Sequence, residues 1–460
     1  MVFPTLQFVL FFAIVLTLNV LVSRRAGARK ALLIAASYVF YAAWDWRFCL
    51  LMLGVSCVAW IAGLFVRDAR WGQVAKVGAI VLMLGVLGVF KYSNFFLLSF
   101  QQLLDDTMFA RDLGWMRVVL PVGISFYTFQ AISYVMDVAR GDLDARKNPA
   151  DVALYISFFP QLVAGPIVRA ADFLQQIDRP FVMDAGARGA AIVLILTGLF
   201  KKLVVANYLS VLLVDPVFAF PEGQDQMTTA LAVLGYGIQI YCDFSGYSDI
   251  AIGIALLLGY RFQRNFNQPY RARGLSDFWR RWHISLSTWI RDYVYIPMGG
   301  NTGGAVRRNV VVMATMTLAG LWHGAGWNFL AWGALHGGGL VVERALGRRE
   351  WSVLAVPVTL VFVLALWIPF RAADWEGTMA IVGALMRSEG TAAVSLGVPV
   401  FALLGIGLAM NWLPLTWRDT VEAFVVRQCA AAQAAVLAVG TVLCFAAAQD
   451  GVAPFIYFQF

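Results

Sequence analysis

The chain has three histidines, His283, His323 and His336. One of them lies in sequence otherwise free of charge: from Asn309 to Val342 there is no Asp, Glu, Lys or Arg. Within that run the local text is Leu321-Trp322-His323-Gly324-Ala325-Gly326-Trp327-Asn328-Phe329. Polar groups in lipid are costly, so an ionisable ring in such a run is a functional candidate. An imidazole there suits general-base work, taking a hydroxyl proton while a second group steadies the developing oxyanion. Trp322 and Trp327 would wall the site, and Asn328 would add an amide donor one turn away. The plainer alternative is a core histidine hydrogen-bonded to a neighbouring helix. With so few histidines, and five cysteines that show no CxxC spacing, no metal site is expected.

Two further groups carry chemistry. Asp277-Phe278-Trp279-Arg280-Arg281-Trp282-His283-Ile284-Ser285-Leu286-Ser287, followed by Arg291-Asp292-Tyr293, reads first as an amphipathic helix at the headgroups. It also describes a cationic mouth, with Arg280, Arg281 and Arg291 placed to hold the phosphates of an anionic donor. Tyr241-Cys242-Asp243-Phe244-Ser245-Gly246-Tyr247-Ser248-Asp249 puts two acids inside an apolar segment, where they must face protein or water. Asp243 and Tyr247 are substrate-binding candidates, with polar glue between helices as the alternative. His336 lies roughly 20 Å beyond His323 along an unbroken helix, too far to share a small site unless the chain folds back.

These groups need an apolar scaffold, and the composition supplies one. Hydrophobic residues make up 60% and charged residues 13% of the chain, and the mean hydropathy is +0.73. Windows near 20 residues alternate with basic loops, the pattern of an all-α polytopic membrane protein. Spans are expected near 6–22, 31–43, 48–66, 77–98, 117–137, 151–168, 188–213, 228–258, 352–370, 391–412 and 430–448. The run around His323 would measure roughly 50 Å as one helix, against about 30 Å of hydrocarbon, so it tilts or breaks at its glycines. Pro121, Gly123, Pro160 and Pro166 predict broken or re-entrant helices, and Lys201-Lys202 are expected to snorkel or face a cavity. In all, about ten to twelve transmembrane helices form a single domain over 1–460, its motif-bearing core near 155–340.

Charge sets the orientation. The loop 23–30 and the stretch Arg261–Arg308, with nine arginines against Asp277 and Asp292, belong on the cytoplasmic side; the acidic loop 215–226 belongs outside. The first span lacks a basic leader region and a cleavage site, so it is expected to remain as a membrane helix. The net charge of +8 comes from these loops and gives no reason to expect a nucleic-acid partner.

The motif series resembles the membrane-bound O-acyltransferase family, in its bacterial branch typified by the membrane subunit of alginate O-acetylation. The blocks are Phe159-Pro160-Gln161-Leu162-Val163-Ala164-Gly165-Pro166-Ile167-Val168-Arg169, the Tyr241–Asp249 text above, and Asn265-Phe266-Asn267-Gln268-Pro269-Tyr270. Phe278–Ser287, Arg291-Asp292-Tyr293-Val294-Tyr295-Ile296-Pro297, Gly320–Gly324 and Phe455-Ile456-Tyr457-Phe458-Gln459-Phe460 complete it. The resemblance implies that His323 is the catalytic histidine, as base or transient acyl carrier, and that His283 is the branch's second histidine. It implies a helical membrane domain with the histidine deep in a central tunnel, and no bound cofactor. The donor would be acetyl-coenzyme A, or an acyl carrier protein in the D-alanyl-transferring relatives, on the cytoplasmic side of the inner membrane. An extracytoplasmic acetyltransferase- or esterase-like partner would finish transfer onto a polysaccharide. The acceptor stays open among alginate-like exopolysaccharides, peptidoglycan and teichoic-acid-type polymers. The rival from another class is a transporter or conduit, which would need no base.

Overall fold

A computed structural model describes residues 1, 3–105, 118–163, 165–347, 354–390, 394, 396–449 and 455–456. Among these every regular element is helical. Ala164 and Tyr457–Phe460, both within the quoted motif blocks, lie outside the described residues. Contacts gather into two compact units, Met1–Val182 and Met183–Phe460.

In the first unit the helices Leu6–Leu21, Ala26–Asp45, Arg47–Phe65 and Gly72–Asp105 follow one another with short turns. The Thr5 hydroxyl caps the first of them, accepting from the Phe8 N–H at 3.3 Å. The basic stretch 23–30 is loop only as far as Arg25. Arg29 is buried in the second helix and donates to Asn19 Oδ1 at 3.1 Å, and Lys30 pairs with Asp151. Gly72–Asp105 runs for 34 residues and stays open to its surroundings, with 17% of its apolar window buried. The expected span at 117–137 begins as helix only at Ile124, after Gly123; position 117 itself is outside the described residues. The expected span at 151–168 is broken into Pro149–Ser157 and a turn at Phe159–Leu162. Protein meets the backbone groups this break frees: Tyr155 OH donates to the Val168 carbonyl at 2.9 Å and Gln161 Nε2 to the Tyr155 carbonyl at 2.6 Å.

The second unit is built on two long helices. One runs from Ala185 to Ala219, passing through π turns at Phe200–Ala206 and Ser210–Val214. The other is Gln226–Leu257, with 89% of its apolar window buried within the protein. They cross where both carry glycine. A Cβ on Gly198 would lie 2.6 Å from the Gly246 carbonyl oxygen, so neither position has room for a side chain. Asp225 caps the second helix through the Thr228 N–H at 2.8 Å, and that hydrogen bond holds its carboxyl below the usual carboxylate range. Lys201 and Lys202 do not snorkel. They reach across to the other helix, Lys201 Nζ to Asp249 Oδ2 at 2.7 Å and Lys202 Nζ to Asp243 Oδ1 at 2.9 Å.

Among the described residues, four helices are long and apolar enough to cross a membrane: Arg47–Phe65, Gly72–Asp105, Ala185–Ala219 and Gln226–Leu257. Shorter apolar helices, Leu6–Leu21, Ala355–Arg371 and Ala430–Ala446, add to them. Much of the remaining apolar sequence is divided among short or interrupted helices, in keeping with the broken and re-entrant segments expected of it. The run around His323 is one of these. It forms a hairpin of Ala305–His323 and Trp327–Ala345, turning at Gly324-Ala325-Gly326. Two glycines let the arms meet: a methyl on Gly320 would sit on the Phe329 carbonyl, and one on Gly333 on the Met316 carbonyl.

Candidate active site

His323 is the last residue of the first arm and is buried. Three rings stand edge-on around its imidazole, with centroids at 4.9 Å for Trp322, 5.0 Å for Trp332 and 5.2 Å for Phe370. Trp332 comes from the returning arm and Phe370 from the Ala355–Arg371 helix, so the enclosure exists only when the hairpin is closed. The turn also brings His336 back. Its ring lies 4.7 Å from Trp332 and 5.1 Å from Trp279, so one indole separates it from His323. The distance along an unbroken helix therefore does not apply. Both nitrogens of the buried His336 ring lack a hydrogen-bond partner among the described residues.

A cavity of about 310 Å³ opens beside His323. Trp279, Ser287 and Thr315 line it, and its polar part carries Arg291, Tyr295, Asn301 and Arg344. Arg291 Nε pairs with Asp292 Oδ1 at 2.6 Å. Arg344 is exposed and its guanidinium has no hydrogen bond or ion pair among the described residues. Its neighbour Glu343 receives the N–H groups of Leu275 and Ser276, which ties the second arm to the start of the Leu275–Trp279 helix.

His283 takes a left-handed backbone conformation, φ 43°, just ahead of the Ile284–Ile290 helix. Its hydrogen bond reveals the tautomer. Asn265 Oδ1 accepts from the Ser285 N–H at 3.1 Å and from the Ser285 hydroxyl at 2.9 Å, so it is the oxygen. His283 Nδ1–H therefore donates to it at 3.2 Å, leaving the lone pair on Nε2, which is buried without a partner among the described residues. The His283 ring packs on Phe244 at 4.6 Å and faces Trp322 at 6.0 Å, so both histidines of the motif series lean on one indole.

The other expected site residues divide. Trp322 walls the histidine, whereas Trp327 is 64% exposed and does not. Asn328 commits both amide hydrogens to the structure, donating at 3.0 Å to the carbonyls of Pro369 and Ala372 at the end of the Ala355–Arg371 helix. Asp243 is paired with Lys202 and accepts from the Ile456 N–H at 3.1 Å; Tyr247 packs on Phe455 at 4.4 Å. Neither lines the His323 cavity. Arg280 is largely exposed, and Arg281 lies in a separate cavity and pairs with Asp277 at 3.0 Å. Of the three arginines, only Arg291 shares a cavity with His323. Sequence reading missed Trp332 and Phe370 as rings packed on His323, and Arg344 in its cavity. Trp332 and His336, four residues apart on one helical face, were the available signal.

The model of the membrane-bound O-acyltransferase family matches residues 143–350, which contain both His283 and His323. A Pseudomonas aeruginosa protein named "Probable alginate O-acetylase AlgI" is 43% identical over 360 residues, 76% of this chain and 68% of its own. A peptidoglycan O-acetyltransferase of Helicobacter pylori is 32% identical over 406 residues, covering 78% of this chain and 74% of that one. A teichoic acid D-alanyltransferase of Bacillus subtilis is 26% identical over 262 residues, 53% of this chain and 66% of its own. With its apolar helices and its histidine hairpin, the chain belongs to the membrane-bound O-acyltransferase family and is a multi-pass membrane O-acyltransferase.

Proposed function

We propose that the protein is an inner-membrane subunit that moves acetyl from cytoplasmic acetyl-coenzyme A toward an exported polysaccharide of alginate-like type. An extracytoplasmic partner would complete the transfer. The observation that carries this reading is the single cavity of about 310 Å³ shared by His323 and the guanidiniums of Arg291 and Arg344. Coenzyme A is polyanionic at one end and carries its thioester at the other. The arginines would take the phosphates, the free fork of Arg344 bidentately, and the thioester would reach toward the imidazole.

In the base reading, His323 removes the proton from an acceptor hydroxyl as its oxygen attacks the acetyl carbonyl carbon. The C–O bond forms, the C–S bond breaks, and the thiolate leaves with the proton held by the imidazolium. In the carrier reading the imidazole nitrogen attacks the thioester carbonyl, the C–S bond breaks and the thiolate leaves with the ring proton. The acceptor oxygen then takes the acetyl as the C–N bond breaks, and its proton returns to the imidazole. His283, with its lone pair on Nε2, would assist through the Trp322 side. The high identity to the alginate O-acetylase favours an alginate-like acceptor over peptidoglycan.

Kinetics of purified variants test the assignment. His323→Ala should insert and purify normally but lose roughly a hundredfold or more in transfer, the usual worth of a positioned base. Arg344→Gln should raise the donor KM roughly tenfold, the loss expected when one charge-assisted contact goes. Full acetylation by His323→Ala, or an unchanged donor KM in Arg344→Gln, would retire the corresponding role.

A further inference from the structure

A second cavity, about 400 Å³, lies on the same unit and shares no residue with the His323 cavity. Three arginines line it, Arg271, Arg273 and Arg281, against one carboxylate, Asp277. That carboxylate is already engaged by Arg281 Nε at 3.0 Å and by the Arg273 N–H at 3.2 Å. The Arg273 side chain has no partner among the described residues. Like charges converging on one hollow repel, and no carboxylate among the described residues pairs with the remaining two.

The site is also built rather than incidental. Arg271 lies over the Trp412 ring at 5.7 Å, and its NH1 donates to Gln268 Oε1 at 3.0 Å. Gln268 holds a left-handed backbone, φ 47°, an uncommon state for a residue with a side chain, and its Nε2 donates to the Leu413 carbonyl at 2.5 Å. Val356 and Trp412 give the cavity an apolar wall next to its guanidiniums. Half-exposed tryptophan beside arginine is the arrangement found at headgroup level.

We propose that the Arg271–Arg273–Arg281 cavity binds a phosphate group, separately from the donor held beside His323. Guanidinium forks match phosphate oxygens in charge and in spacing. The phosphate is carried either by an anionic phospholipid headgroup, which the apolar wall suits, or by a free inorganic anion. The proposal is independent of what His323 does.

The test compares the purified full chain with Arg271→Gln/Arg273→Gln, and with Arg273→Gln alone should the double variant fold poorly. Native mass spectrometry counts phosphatidylglycerol retained from mixed phosphatidylglycerol and phosphatidylcholine micelles, and calorimetry measures inorganic pyrophosphate. The wild type should hold one more phosphatidylglycerol than the variant, or bind pyrophosphate roughly tenfold or more tightly, and less so at high salt. The first result identifies a lipid headgroup as the source and the second a free anion; either supports the site. Equal retention of both probes by wild type and variant overturns it. Weakened coenzyme A binding in the variant would also overturn it, by placing the cavity on the donor's path.

Discussion

Lys202 and Asp243 show how two residues can each be read correctly in kind without their partnership being visible. Both charges are visible in apolar sequence, and burial cost alone says that each needs a partner. That they are partners depends on how two helices cross at Gly198 and Gly246, which no local pattern encodes. Each side chain is almost wholly buried, so removing one member strands the other. Lys202→Met should therefore destabilise the protein by about 3–5 kcal/mol, with Lys202→Met/Asp243→Asn recovering part of the loss. Thermal unfolding in detergent measures both, and a double variant no better than the single would mean the two charges are not coupled. His323 was legible for the same reason as the acids, an ionisable group without charge around it. Asn328 was not: its amide looks like a donor for substrate until the open carbonyls of Pro369 and Ala372 are seen beside it.

At the level of elements, the hairpin was half legible. The length of the apolar run demanded a break, and the glycines around Ala325 placed it. What the run could not reveal is that Gly320 and Gly333 serve the contact between the arms rather than the turn. That contact carries Trp332 to His323. Gly320→Val should then cost about 1–3 kcal/mol by overpacking and cut transfer more than folding, because the displaced arm takes its indole with it. The check is activity per folded molecule, and a variant with normal specific activity would show that the closed hairpin is not needed for chemistry. Element boundaries were hardest where proline divides apolar sequence, as at Ser157 and Phe159, since a buried tyrosine and glutamine on either side of the break make it tolerable.

For the whole molecule, composition settled the class, while the number of crossings depends on how short helices combine. Sidedness is open to direct measurement. Single cysteines at Arg25 and Arg307, both exposed, should label from the cytoplasmic face, and one at the exposed Glu222 from the opposite face. Gln226–Leu257 separates the last two positions by one crossing, so labelling of Glu222 and Arg307 from the same side would remove that helix from the count of spans. The two longest uninterrupted α-helices also answer to different surroundings. Gln226–Leu257 is enclosed by protein, and Gly72–Asp105 is largely open. On the open helix one apolar side chain serves a lipid tail as well as another, and descendants of this chain can exchange Leu, Val, Ile and Phe there almost without selection. On the enclosed helix each such exchange must be matched by a neighbour, so lineages will diverge quickly along the first and slowly along the second.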